Sequence, residues 1–394
     1  MISVSEAKKI IKANVEVLKP VKLSLHESAG KILAEDIVAS IDLPPFPQSS
    51  MDGFAFNFQD WQPGVGLKIE GEVAAGATNK FALTPGHAVR IFTGAPVPVG
   101  ADTIVIKEKS AVKDNYLFIE DETIKKGAHV RPKGSEINAG DIALPKETTL
   151  SPASIGFLAG LGITQASVIP NPTTTIIITG DELQQPGTKL EFGQVYESNS
   201  LTLVACLENL HFKNISVLRV RDNLKKLIDT VNQALVSSDV VIVTGGVSVG
   251  DYDFVLEACN QCGVSKVFHK IFQKPGKPLF FGKKDNKIVF GLPGNPSSVL
   301  TCFYEYVLLA LELMTKQKVT LAKREAVLVN TFSKKNELVH FLKGYYNGSD
   351  VEILTAQESY KLNSFAKANC LVVIPSEVME YKSSDRVEIH LFPA

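Results

Sequence analysis

The sequence predicts a multidomain protein of mixed α/β and β class, on three observations. At 394 residues the chain exceeds the size at which a single hydrophobic core stops growing. Between 173 and 315, apolar strands alternate with helical stretches, the rhythm of a mostly parallel sheet with helices on its faces. On either side of that region, short alternating runs separated by Gly and Pro turns read as β modules.

The elements follow in chain order. "MISVSEAKKIIKANV" is a charged amphipathic helix, with Ser3 and Glu6 in a capping-box arrangement. Strand-like pieces "KLSLHES" and "KILAEDIVAS" come next, and the Pro-rich "DLPPFPQ" then breaks regular structure. From 43 to 138 the runs "LKIEGEVAAG", "HAVRIFTG", "DTIVIKE" and "YLFIED" form an inserted β module. A helix restarts at "SPASIGFLAGLG", with Ser151 as cap, Pro152 at its first position and Gly162 near its stop. It is expected to pack on the N-terminal segment, so 1–42 and 139–172 form one domain.

The α/β domain, 173–315, contains "TTTIIITG", a helix over 201–210, "NISVLRV", a helix over 223–236, "DVVIVTGG", a helix after Asp253, "KVFHKIF", "KIVFGLPG" and a long helix from Pro296. From 316 to 394 the strands "AVLVNTF", "VEILTA", "LVVIPS" and "RVEIHLF" lack clear helices, which predicts a small β-barrel or sandwich.

Composition excludes several classes. Lys and Arg number 41 against 42 Asp and Glu, so the bulk charge of a nucleic-acid binder is missing. The N-terminal helix lacks the apolar core of a signal peptide, and no uncharged apolar run is long enough to span a bilayer, so no membrane association is expected. Five cysteines with no regular framework fit reduced thiols in the cytoplasm. Cys259 and Cys262 form a C-x-x-C without a second pair at zinc spacing, and read as structural thiols.

Ligands of open α/β sheets bind beyond the carboxyl ends of the strands. There the sequence places four polar loops: "TGDEL", "VRDN", "TGGVSVGDYD" and "GLPGNPSS". Gly245, Gly246 and Gly250 allow backbone amides to approach a ligand, with a ligand-free tight turn as the alternative. The spacing matches neither the P-loop nor the dinucleotide fingerprint. The turn at Gly294 leads into a helix start where Ser297 and Ser298 suit an oxyanion, with helix capping by Asn295 or Ser297 as the alternative.

"HKIFQKPGKP" presents Lys270, Lys274 and Lys277 around a Pro-Gly turn, an arrangement suited to phosphate. Glu182, Asp222, Asp251 and Asp253 on the same rim would repel an anion; two unit charges about 4 Å apart cost about 4 kcal/mol at an effective dielectric of 20. A divalent cation removes the conflict, since Mg²⁺ is held by a few carboxylates together with substrate phosphates. Asp222 is alternatively the cap of the following helix. The residues alone thus describe a site for a phosphorylated, partly aromatic ligand with a metal ion, without identifying the ligand.

With those residues in view, the chain resembles the molybdopterin molybdenumtransferases, the MoeA and gephyrin E-domain family, over essentially its whole length. "DLPPFPQSSMDGFAF", "RIFTGAPVPVGADTIVIKE", "VRPKGSEINAGD", "LSPASIGFLAGLGI", "ITGDELQQPGTKLEFGQVYESNS", "TGGVSVGDYDFV", "KPGKPLFFG" and "GLPGNPSSV" occur in the family's order. The resemblance implies a three-layer α/β molybdopterin-binding domain with an inserted β module, an elongated N-terminal segment and a C-terminal β-barrel. It implies a cytoplasmic, Mg²⁺-dependent enzyme that inserts molybdenum from molybdate into adenylated molybdopterin and releases AMP and molybdenum cofactor. A homodimer is implied, with a cleft lined by the inserted module of one protomer and the α/β domain of the other, and with transient contacts to the molybdopterin adenylyltransferase and to apo molybdoenzymes.

Carried over residue by residue, the catalytic positions are Asp52, Glu182, Asp222 and Asp253, with Asp52, Glu182 and Asp253 as Mg²⁺ ligands. Substrate-binding positions carried over are Thr93, Arg131, Lys270, Lys274, Pro293 and Pro296, and the reading of the loops adds Gly245, Gly246, Ser248, Lys277 and Ser297. The chain departs from the family at Pro47, Ser50 and Phe54, where Asp, Ala and Tyr are common, and at Ile178, where a Ser is usual and a hydroxyl near Glu182 is therefore expected to be lost. "PKGSEI" after Arg131 also replaces the usual "GED" run. Two other functions fit the same fold: a non-catalytic scaffold that binds partner peptides, and a nucleotide pyrophosphatase or adenylyltransferase.

Overall fold

The computed structural model describes residues 1–246 and 254–393. The chain divides into two compact units, Met1–Val21 with Ile169–Ala394, and Lys22–Val168.

The larger unit is built on a six-stranded sheet in the order Ile215–Val220, Thr174–Thr179, Val240–Thr244, Lys287–Leu292, Phe280–Lys284, Ser265–His269. The first four strands are parallel and the last two antiparallel. The strand at Phe280–Lys284 is not among those expected from sequence, because prolines and glycines flank its short apolar run and mask it.

Strand alternation sends side chains to two cores. Ile176, Ile178, Ile242 and Phe290 face the helices Asn199–Asn209 and Pro296–Thr315, while Ile177, Val241, Val243 and Val289 face Leu224–Ser237 and Phe254–Gln261. Burying each such side chain contributes about 1.5–3 kcal/mol, and the result is three layers. Cys259 and Cys262 are buried in the second core, and burial pushes the Cys259 thiol up to about 12.

Helix Val4–Asn14 starts where Ser3 accepts the Glu6 amide at 3.1 Å. Its Ala7 and Ile11 sit in the α/β core, whereas the sequence groups this helix with 22–42. An amphipathic pattern shows that a helix has an apolar face, not which core that face meets.

The run Pro296–Thr315 is long and apolar enough to cross a membrane, and 78% of its most apolar window is buried inside the unit, as in a core helix. It carries a π turn at Phe303–Val307. Beyond it, the strands Val339–Tyr346, Asp350–Ile353, Ala322–Leu328, Arg386–Leu391 and Cys370–Ile374 pair in sequence, and the last pairs back to the first, closing a five-stranded barrel. Val339–Tyr346 is the barrel strand that sequence patterning misses, since Lys343 and Gly344 interrupt its apolar run.

The smaller unit holds a six-stranded sheet in the order Thr103–Ile106, Gly53–Phe56, His87–Ile91, Leu67–Val73, Tyr116–Ile119, Ser110–Lys113. Gly53 is required by close approach: a Cβ there would lie 1.9 Å from the Val105 carbonyl oxygen. In the same unit helix Pro152–Gly160 starts at the Ser151 cap, and its Leu158 packs with Leu25, Leu33 and Val168, the expected association with the N-terminal segment.

Candidate functional site

A cleft of about 990 Å³ opens at the carboxyl ends of the parallel strands. All four loops singled out in the sequence reach it, through Gly180 and Glu182, Asp222, Gly245 and Gly246, and Pro293 to Pro296. One wall is the turn Lys274–Pro275–Gly276–Lys277; another comes from the barrel, through Leu338, Gln357, Ser359 and Tyr360.

Opposite charges occupy different parts of this cleft. Glu182 and Asp222 lie at the strand ends, and the Thr179 hydroxyl donates to Asp222 at 2.5 Å. Lys274 and Lys277 lie on the turn. Behind it, burial together with the charges of Lys334 and Lys274 pushes His340 down to about 4, so that wall gains no charge from His340 at neutral pH. Lys334 is almost buried and donates to the carbonyls of Leu338, Pro375 and Ser376 at 2.6, 2.5 and 3.1 Å.

Two cleft residues, Asn199 and Thr244, are nine-tenths or more buried, and their Oδ1 and Oγ1 atoms lack hydrogen-bond partners among the described residues. Leaving such an atom unmade costs about 1–3 kcal/mol, which a bound polar ligand or water would recover.

Family models match the chain end to end: MoeA N-terminal region (domain I and II) over 2–162, probable molybdopterin binding domain over 175–313, and MoeA C-terminal region (domain IV) over 325–392. The molybdopterin molybdenumtransferase of Haemophilus influenzae is 33% identical over 377 residues, covering 94% of this chain and 93% of that one. The Staphylococcus epidermidis molybdopterin molybdenumtransferase is 35% identical over 402 residues, covering 99% and 95%.

The chain belongs to the molybdopterin molybdenumtransferase family.

Two solved structures of the molybdopterin biosynthesis MoeA protein from Pyrococcus horikoshii match over 100% of both chains, with TM-scores of 0.84 and 0.77 at 28% and 27% identity. The protein is therefore a transferase of molybdenum cofactor biosynthesis, with the fold that the sequence predicts.

Within this molybdenumtransferase the structure sorts the expected site residues. Glu182, Asp222, Gly245, Gly246, Lys274, Lys277, Pro293 and Pro296 line the cleft, whereas Lys270 and Ser297 do not. Ser297 has no exposure and its amide donates to the Ser359 carbonyl at 3.1 Å, while its Oγ is buried without a hydrogen-bond partner among the described residues; Ser298 lines the cleft. The Gly245 amide is likewise taken, by the Leu292 carbonyl at 3.3 Å. Gly245 is needed for a different reason: it has φ +90°, and a Cβ there would lie 2.5 Å from the Thr179 carbonyl oxygen.

Asp222 is not the cap of the following helix; Asn223 is, accepting the Lys226 amide at 3.0 Å, which leaves Asp222 facing the cleft. Ile178 packs in the core with 2% exposure, so the absent hydroxyl is not missing from the cleft wall, where Thr179 supplies one. Ser248, Asp251 and Asp253 lie outside the described residues.

In the smaller unit, Asp52 and Thr93 form a pair: Asp52 Oδ1 accepts both the Thr93 amide and its hydroxyl at 2.8 Å. These bonds, the backbone one foremost, with Arg90 and Lys107 nearby, hold the Asp52 carboxyl below its ordinary range. The Thr93 hydroxyl proton is thereby committed to Asp52. Arg131 is exposed on a strand paired with Gln48.

Asn199, Thr244, Gln273, Gln357, Ser359 and Tyr360 were not anticipated as cleft residues. Asn199, Thr244 and Gln273 stand within the quoted segments "QVYESNS", "TGGVSVGDYD" and "HKIFQKPGKP"; Gln357, Ser359 and Tyr360 carry no local signal, because distant folding brings them to the cleft.

Proposed function

We propose that this enzyme inserts molybdenum from molybdate into adenylated molybdopterin, releasing AMP and molybdenum cofactor. The observation that supports this most directly is a cleft at the strand ends with lysines 274 and 277 on one turn and carboxylates Glu182 and Asp222 at the strand ends. Lysines suit the phosphates of the substrate, and carboxylates suit a metal ion or proton transfer.

In the balanced reaction, the two dithiolene thiols become molybdenum ligands, and one oxo group of molybdate leaves as water carrying their protons. A water then splits the phosphoanhydride, and the adenylyl half leaves as AMP. Glu182 or Asp222 would accept the proton of that water, while Lys274 and Lys277 hold the phosphate oxygens of the bound substrate.

Among the described residues no three His, Cys, Asp or Glu side chains are grouped to hold a metal ion. Glu182 and Asp222 nevertheless fit Mg²⁺, which takes one or two carboxylates and completes its shell with water and substrate phosphate. Bound there, with Asp253 and Asp52 as further ligands, it would neutralise phosphate charge. Asp52, Thr93 and Arg131 would reach a cleft from the partner protomer of a cytoplasmic homodimer, with the adenylyltransferase upstream and apo molybdoenzymes downstream as transient partners.

The test is AMP release from adenylated molybdopterin with Mg²⁺, with and without molybdate, followed by activation of an apo molybdoenzyme. Molybdate-dependent release with activation is expected. Release at full rate without molybdate would mean a pyrophosphatase, and no release would mean a scaffold.

A further inference from the structure

Beneath the lysine turn lies a buried polar clamp that the chemistry above leaves unused. Gln273 has no exposure. Its Nε2 donates to the Pro275 carbonyl at 2.9 Å and the Gly276 carbonyl at 3.3 Å, and its Oε1 accepts the hydroxyl of Tyr306. The Cys302 thiol donates to the Gly276 carbonyl at 3.6 Å.

The turn is pressed onto this clamp. Gly276 has φ +86°, and a Cβ there would lie 2.4 Å from Cys302 Sγ and 2.8 Å from Gln273 Nε2. Its other side is tied to the barrel, where Gln273 and Lys274 pair with Val339 and His340.

Tyr306 stands in the π turn Phe303–Val307 of the long core helix. A π turn rotates the side chains after it relative to a plain helix and recurs near functional sites. Here Tyr306 bonds to the cleft turn, while the neighbouring Glu305 bonds to Lys8 and His390. The hydroxyl and the amide satisfy each other, and a buried polar network with every member paired fixes a unique geometry. The carbonyls that Gln273 holds belong to the two residues between Lys274 and Lys277, so the clamp fixes the backbone from which both lysine side chains project.

We propose that Gln273, together with Tyr306, is a positioning residue that presets Lys274 and Lys277 for the phosphate groups of the substrate. The proposal rests on the phosphate role assigned to those lysines. Gln273 borders the cleft but has no exposure, so its action, like that of Tyr306, would run through the turn.

The experiment compares full-length Gln273→Leu, Tyr306→Phe and Lys274→Ala, together with the double variant Gln273→Leu/Lys274→Ala. KM and kcat for adenylated molybdopterin are measured alongside thermal melting. Gln273→Leu and Tyr306→Phe should each raise KM by about tenfold while kcat stays within about twofold, the signature of lost ground-state binding. In the double variant the losses should fall well short of multiplying, because both changes remove one interaction.

Tyr306→Phe preserves the ring and so carries the test if Gln273→Leu does not fold. A lowered melting temperature with unchanged KM in the clamp variants, while Lys274→Ala raises KM, would overturn the positioning role alone. Unchanged KM in Lys274→Ala itself would overturn the phosphate role of the turn, and the proposal with it.

Discussion

At the residue scale, what matters in the cleft is which donors are free. The Gly245 amide and the Ser297 amide are spent on Leu292 and Ser359, whereas the Thr244 hydroxyl is an unpaired donor and Asn199 Oδ1 an unpaired acceptor among the described residues. Gly245→Ala should therefore damage the fold rather than a ligand contact. The strain of a non-glycine at φ +90° and a backbone oxygen 2.5 Å away should cost about 1–3 kcal/mol, read as a lower denaturant midpoint at unchanged m-value.

Asp52 presents the opposite case, being exposed and held ionised by Thr93. Asp52→Asn should leave the denaturant midpoint unchanged while abolishing AMP release. Because its carboxyl sits below the usual range, whatever its charge contributes is fully present above the ordinary value near 3.8 and is lost only as pH falls through the lower folded value.

Elements of this protein are joined through buried charge. Glu305, on the π turn, is 4% exposed and lies 2.5 Å from Lys8 of the first helix and 2.6 Å from His390 of the last barrel strand. Burial pushes its carboxyl up, yet the His390 hydrogen bond and the Lys8 charge outweigh that and hold it below its ordinary value. Stability from Glu305 is thus present above about pH 4.5, the usual glutamate value, and is lost as pH falls through the depressed one. Glu305→Gln should lower stability by about 3 kcal/mol, the cost typical of breaking a buried pair, and should flatten acid unfolding in that window.

The barrel strand Val339–Tyr346 shows the same device with a lone cation. Lys343 is 2% exposed, and burial pushes its ammonium down to about 8, while it donates to the carbonyls of Ala356 and Lys361 at 2.7 and 3.1 Å. Those bonds hold the loop that brings Gln357, Ser359 and Tyr360 to the cleft. Lys343→Met should lower hydrogen-exchange protection across 356–361, and unchanged protection would argue against the anchor. A buried lysine is also why pattern reading passes over this strand: its charge looks like a solvated position until the carbonyl cage is seen.

On the scale of the whole molecule, the proposed homodimer makes a sharp prediction. If Asp52 serves the cleft of its partner, an Asp52→Asn protomer paired with a Lys274→Ala protomer contains one intact site. At substrate concentrations below the raised KM of Lys274→Ala, mixed dimers should release AMP well above either parent, and absence of recovery would place both residues in the site of one protomer.

The α/β rhythm, the inserted and terminal β modules and the four strand-end loops are legible in the sequence, because strand alternation and turn chemistry are local and leave periodic traces. Gly245 and Asp222 could be singled out for the same reason. Other features belong to the tertiary structure alone: the first helix joining the α/β core, the antiparallel strand at Phe280–Lys284, the clamp of Gln273 by Tyr306, and the commitment of the Thr93 hydroxyl and of the Gly245 and Ser297 amides to internal partners. Each depends on a hydrogen bond or apolar contact between segments far apart in the chain, and no local pattern records which distant group will satisfy a donor or cover a face.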